Sequence, residues 1–128
     1  MKLEHVSIYT TDLERLKQFY ETYFGGSAGQ KYHNPRTGLQ TYFLTFSGGA
    51  RLELMTREET QQVKQLAYAT GLTHLAFQVE GGRQAVDALT AQLKQDGYEV
   101  LSGPRVTGDG YYESCVLDCD GNQVEITA

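Results

Sequence analysis

Apolar and polar residues alternate along residues 3–9 and again along 72–78, and this period of two predicts a half-buried strand in each place. Each run is followed by apolar residues at helical spacing: Leu13, Leu16 and Tyr20 after the first, Val86, Leu89 and Leu93 after the second. Asp12 is placed to cap the first helix, and Gly25-Gly26 and Gly97 are placed to stop the two helices. Strand-like runs follow at 27–32 and 39–46, then at 98–106 and 111–118, separated by the turn-forming segments 34–38 and 107–110. Each half closes on a further alternating run, 49–54 and 121–126. The chain therefore reads βαβββ twice, with a period of about 70 residues that suits two fused half-domains better than a solenoid. The expectation is an α+β fold in one domain, 1–128. Module 1 covers about 1–56, a connection that is a short helix or a loop covers 57–70, and module 2 covers about 71–128.

A chain of 128 residues can bury a sufficient core without disulfides or a structural metal. Cys115 and Cys119 are too few for a disulfide framework and do not form a Cys-x-x-Cys pair, so they read as reduced thiols in a strand and a turn. A net charge of −5 without a cluster of lysines and arginines argues against nucleic acid as a partner. No apolar run approaches the ~18 residues of a membrane helix, and the first residues lack the apolar stretch of a signal peptide, so no membrane partner and a cytoplasmic location are expected. A small-molecule enzyme, a binding module or an interaction domain remains, and a small-molecule substrate is the partner expected.

Side chains on a strand alternate between faces, so the duplicated histidines and glutamates can be assigned to one side. Val6 and Ile8 oppose His5, Ser7 and Tyr9, and Leu75 and Phe77 oppose His74, Ala76 and Gln78. On the closing runs Leu52 and Leu54 oppose Arg51, Glu53 and Met55, while Val124 and Ile126 oppose Gln123, Glu125 and Thr127. If the aliphatic faces pack on the helices, the other faces line a polar concavity where two imidazoles and two carboxylates could converge. Such a set suits one borderline divalent ion per site, Zn²⁺ or Ni²⁺ ahead of Co²⁺ or Mn²⁺, with open positions left for water or substrate.

These residues resemble the vicinal oxygen chelate superfamily, which unites glyoxalases, bleomycin resistance proteins and dioxygenases, and within it the glyoxalase I-like branch. The resemblance rests on His5 followed by Thr11-Asp12-Leu13 and Phe19-Tyr20, on Leu52-Glu53-Leu54, on 71–77 around His74, and on Asp118-Cys119-Asp120-Gly121-Asn122 leading into Val124-Glu125-Ile126. It implies two βαβββ modules forming a half-open, eight-stranded mixed sheet or barrel around a metal held by His5, Glu53, His74 and Glu125. It also implies a homodimer, with the halves either closed on themselves or exchanged between chains. Extradiol dioxygenases and fosfomycin-modifying thiol transferases usually use two histidines and one glutamate, and methylmalonyl-CoA epimerases tend to carry Gln at the place of Glu53.

The implied activity is that of a lactoylglutathione lyase-like enzyme. A hemithioacetal or α-hydroxycarbonyl would be isomerised by proton transfer through a metal-bound enediolate, with Glu125 as the base and Glu53 as its partner. Tyr9, Arg51, Gln78 and Gln123 share the polar faces and are the substrate-binding candidates. Tyr9 stands where glyoxalase I has an arginine for the glutathione carboxylate, and Arg57 stands near the place of an asparagine of that enzyme, which leaves the thiol open. The alternatives are a fosfomycin-type thiol transferase, an extradiol dioxygenase, or a non-catalytic bleomycin-resistance-like binder.

Overall fold

A computed structural model describes residues 1–64 and 66–128, so Gln65, in the expected connection, lies outside the described residues. The chain divides into two compact units, Met1–Val63 and Lys64–Ala128. In the first, β1 (His5–Tyr9) leads into α1 (Leu13–Phe24), followed by β2 (Ser27–Ala28), β3 (Tyr32–His33), β4 (Gln40–Thr45) and β5 (Arg51–Thr56). Asp12 caps α1 as expected, its carboxylate accepting from the Arg15 N–H at 3.1 Å, and Gly25 ends the helix in the left-handed conformation. The sheet order is β1-β5-β4-β2, with β3 also on β4; β1 is parallel to β5 and the other pairs are antiparallel. Leu13, Leu16, Phe19 and Tyr20 from the helix form the core with Leu44, Leu52 and Leu54 from the sheet.

One strand departs from expectation. The run 27–32 forms two short strands because residues 29–31, three in number, stand opposite only Tyr42 and Phe43 of β4. The Gly29 N–H still donates to the Phe43 carbonyl at 2.9 Å, so this bulge bends the edge strand without releasing it. The described residues thus hold nine strands where eight were expected. They form two separate sheets and no closed barrel.

The second unit repeats the plan: β6 (His74–Gln78), α2 (Gly82–Gln95), β7 (Val100–Val106), β8 (Tyr112–Leu117) and β9 (Gln123–Thr127), in sheet order β6-β9-β8-β7. β6 is parallel to β9, as β1 is to β5. β7 is also bulged against β8, and at Gly103 (φ +80°) an added Cβ would lie 2.5 Å from the Glu113 carbonyl oxygen, so only glycine fits. Val86 and Leu93 of α2 bury against Val116, Val124 and Ile126, but the third deeply buried helix position is Thr90, with Leu89 only half-buried. Thr90 is accommodated because Ser114 of β8 meets its hydroxyl at 2.6 Å.

The expected connection 57–70 opens with a turn, the Thr60 N–H donating to the Arg57 carbonyl at 3.0 Å, and its described residues contain no helix. Cys115 lies in β8 and Cys119 in the following turn, and neither forms a disulfide. No described helix is long and apolar enough to cross a membrane.

Candidate functional site

Each unit carries one histidine and glutamate pair on the sheet face turned away from its buried aliphatic residues. In the first unit, parallel pairing sets Ser7 opposite Glu53 and His5 opposite Arg51. The burial alternation puts His5, Ser7 and Tyr9 on the same side as Arg51 and Glu53. His5 Nε2 lies 3.7 Å from Glu53 Oε2, which also accepts the Ser7 hydroxyl at 2.5 Å. His5 Nδ1 is hydrogen-bonded to Glu4 Oε2, and the other oxygen of Glu4 accepts from Arg51 Nε at 2.7 Å. These contacts, His5 first and Arg51 after it, hold the Glu4 carboxyl below its ordinary pKa. Phe43 of β4 packs against both side chains: the His5 ring meets it at a right angle at 5.4 Å between centroids, and the Arg51 guanidinium lies 4.2 Å above it.

In the second unit His74 Nε2 lies 3.4 Å from Glu125 Oε2, and Nδ1 lies 3.1 Å from the Thr73 hydroxyl. Ala76 takes the place of Ser7, opposite Glu125 in β9. Cys115 of β8 is the other neighbour of Glu125, and Glu113 is on the same face two residues away. Burial, then a hydrogen bond with Glu125 and its charge, pushes the Glu113 carboxyl above the usual range. Burial together with both carboxylates raises the Cys115 thiol, which keeps it protonated and unreactive.

The 3.4 Å separation matches that of two donors on one ion, and the 3.7 Å separation is slightly wider. An imidazole nitrogen and a carboxylate oxygen at adjacent positions on a divalent metal, each at about 2.0–2.2 Å, stand about 3–3.5 Å from one another. The pairs lie at 3.4 and 3.7 Å, both through Nε2, and each Nδ1 is engaged by a neighbouring side chain, as metal-ligating histidines require. Among the described residues no group of three or more His, Cys, Asp or Glu side chains that could hold a metal ion is found, so the structure shows the two pairs and no larger cluster.

The family model of the glyoxalase/bleomycin resistance protein/dioxygenase superfamily matches residues 2–126. The chain belongs to this superfamily. Uncharacterized protein YqjT of Bacillus subtilis is 27% identical to it over 133 residues, with 98% of each chain covered. A glyoxalase family protein from Enterococcus faecalis matches with a TM-score of 0.79 at 26% identity, over 99% of this chain and 97% of that one. The trypanothione-dependent glyoxalase I of Leishmania major matches with a TM-score of 0.80 at 22% identity, over 99% and 86%, a likeness of fold.

Within this glyoxalase-superfamily chain the four substrate-binding candidates have distinct settings. Arg51 is engaged by Glu4. Tyr9 is half exposed and interacts with Arg57, whose guanidinium is held by both carboxylate oxygens of Glu59 at 2.7 and 3.0 Å. Gln123 accepts the Cys115 thiol at 3.8 Å, and Gln78 is exposed on β6. A cleft of about 470 Å³ in the first unit is lined by His33, Gln40, Thr56, Arg57 and Glu58 among others. Glu4 and Glu113 were not singled out from the sequence. The alternation of Glu113 and Cys115 with buried Ser114 and Val116 was a usable signal for the second, whereas Glu4 falls by parity on the side of Val6 and Ile8, so alternation did not place it with His5.

Proposed function

We propose that the chain is a metal-dependent glyoxalase I-like isomerase acting on a hemithioacetal or an α-hydroxycarbonyl. The observation that carries this reading is the repeated pair, imidazole Nε2 against carboxylate Oε2 at 3.7 and 3.4 Å on equivalent strands of the two units. His5, Glu53, His74 and Glu125 would hold one divalent ion, Zn²⁺ or Ni²⁺ first and Co²⁺ or Mn²⁺ after them, in a working homodimer. Such an ion, when bound, supplies Lewis-acid polarisation of adjacent substrate oxygens. Glu125 takes the proton from one carbon of the substrate and returns it to the neighbouring carbon, so the reaction is an isomerisation with no net gain or loss of atoms. Glu53 would act as its partner, and its Oε2 accepts the Ser7 hydroxyl at 2.5 Å.

The test is elemental analysis of metal-stripped protein after reloading with each ion, with assays of hemithioacetals of several thiols. About one ion per four donors is expected. His5→Ala with His74→Ala should lose the ion, and Glu125→Gln should keep the fold and lose turnover. Protein that retains no ion under any loading, or a fully active Glu125→Gln variant, overturns the reading.

A further inference from the structure

We propose that the polar cleft of the first unit binds a neutral polyhydroxylated molecule of monosaccharide size, on the face of the sheet opposite to the His5 and Glu53 pair. Cross-strand partners share a face, and the register sets His33 opposite Gln40 and Gln40 opposite Thr56, one row across β3, β4 and β5. Two residues along β4, Tyr42 lies on the same face and its hydroxyl donates to Glu14 of α1 at 3.1 Å, so this is the face that the helix covers. Glu53 is opposite Phe43 and therefore on the other face. Thr11 just ahead of the helix cap, the hairpin loop at Gly38 and the turn 57–60 complete the walls.

Both rims are fixed by their own backbones. In the turn the Arg57 N–H donates to Thr60 Oγ1 at 3.1 Å and the Thr60 N–H returns to the Arg57 carbonyl at 3.0 Å. In the hairpin the Asn34 N–H donates to the Leu39 carbonyl at 2.8 Å and the Gly38 N–H to the Asn34 carbonyl at 2.9 Å. The space between them, about 470 Å³, falls in the range of small-molecule sites. Its lining decides the class of ligand. An anion only accepts hydrogen bonds and a cation only donates them, whereas each hydroxyl of a polyol does both. The hydroxyls of Thr11 and Thr56 and the amide of Gln40 likewise offer both kinds of partner. Among the described residues the side chains of Thr11, His33, Gln40 and Thr56 make no hydrogen bond to another protein group, so that capacity is open to a ligand. Charge does not favour an anion, because the Arg57 guanidinium is held by both oxygens of Glu59 and Glu58 adds a further carboxylate to the wall.

Because the cleft and the His5 and Glu53 pair lie on opposite faces, the site is tested independently of any metal. The experiment is a ¹H–¹⁵N chemical-shift titration of the full chain with D-glucose, myo-inositol and sorbitol, and with inorganic phosphate as the anion. At least one polyol is expected to give saturable shifts confined to residues 11, 33–40 and 56–60, with a millimolar Kd, and phosphate none. Gln40→Met and Thr56→Val remove hydrogen-bonding groups at nearly constant volume, and each should weaken that binding about 2–10-fold. Melting temperature and metal content should stay at the parent's values, since neither side chain bonds to the protein or lies on the face of Glu53. Four results overturn the proposal: no shifts with any polyol or shifts that never saturate, polyol shifts centred on His5 and Glu53, saturable binding of phosphate in place of the polyols, or polyol binding that neither variant weakens.

Discussion

The buried hydroxyl pair between α2 and β8 allows a double-mutant cycle whose outcome follows from counting protons. Thr90 Oγ1 donates its single hydrogen to the Val86 carbonyl at 2.6 Å, so the 2.6 Å contact with Ser114 must be donated by the serine. Thr90 is 4% and Ser114 1% exposed, so water cannot replace a lost partner. Thr90→Val removes the acceptor and strands the serine O–H, which costs about 1–3 kcal/mol. Ser114→Ala removes the donor, while Thr90 keeps its bond to Val86, and costs about 0.5–1.5 kcal/mol. The double variant strands no donor, so it should be more stable than the sum of the singles predicts by about 1 kcal/mol or more. Urea unfolding at constant m-value measures all four proteins, and Ser114 lies on the strand beside that of Glu125, opposite Ile126. Additivity within about 0.3–0.5 kcal/mol would refute the pairing, as would a Ser114→Ala variant less stable than Thr90→Val.

Leu54 is fully buried on β5, one residue from Glu53, and Leu54→Ala should cost about 2–5 kcal/mol in the same assay. Glu14 accepts from Lys31 at 3.0 Å and from Tyr42 at 3.1 Å and pairs with Lys17 at 3.3 Å. Lys31 first, then Lys17 and Tyr42, lower its carboxyl pKa, while burial, second only to Lys31, opposes them. A carboxyl lowered on folding stabilises above its ordinary range and loses that contribution as pH falls through the folded value. Glu14→Gln should therefore melt slightly below the parent at neutral pH, with the gap closing as pH drops below about 4.5, and a gap constant across that window would contradict the assignment.

Much of the plan was legible from the order of residues alone, because strand alternation and helix spacing are local properties. The doubled βαβββ reading, the Asp12 cap and the side of the sheet taken by His5, Glu53, His74 and Glu125 all follow from which neighbours are apolar. The interruption of the 27–32 run was not legible, since a bulge exists only relative to the strand opposite, and residues 29–31 show no break until they face Tyr42 and Phe43. Thr90 in place of Leu89 at the helix core depended in the same way on Ser114, 24 residues further along. Alternation gave Arg51 only a face shared with Glu53, and tertiary structure gave it Glu4, 47 residues away. Periodicity states which side a residue faces, whereas partners are set by register between distant strands, and the contacts around His5 and Glu125 belong to that second kind of information.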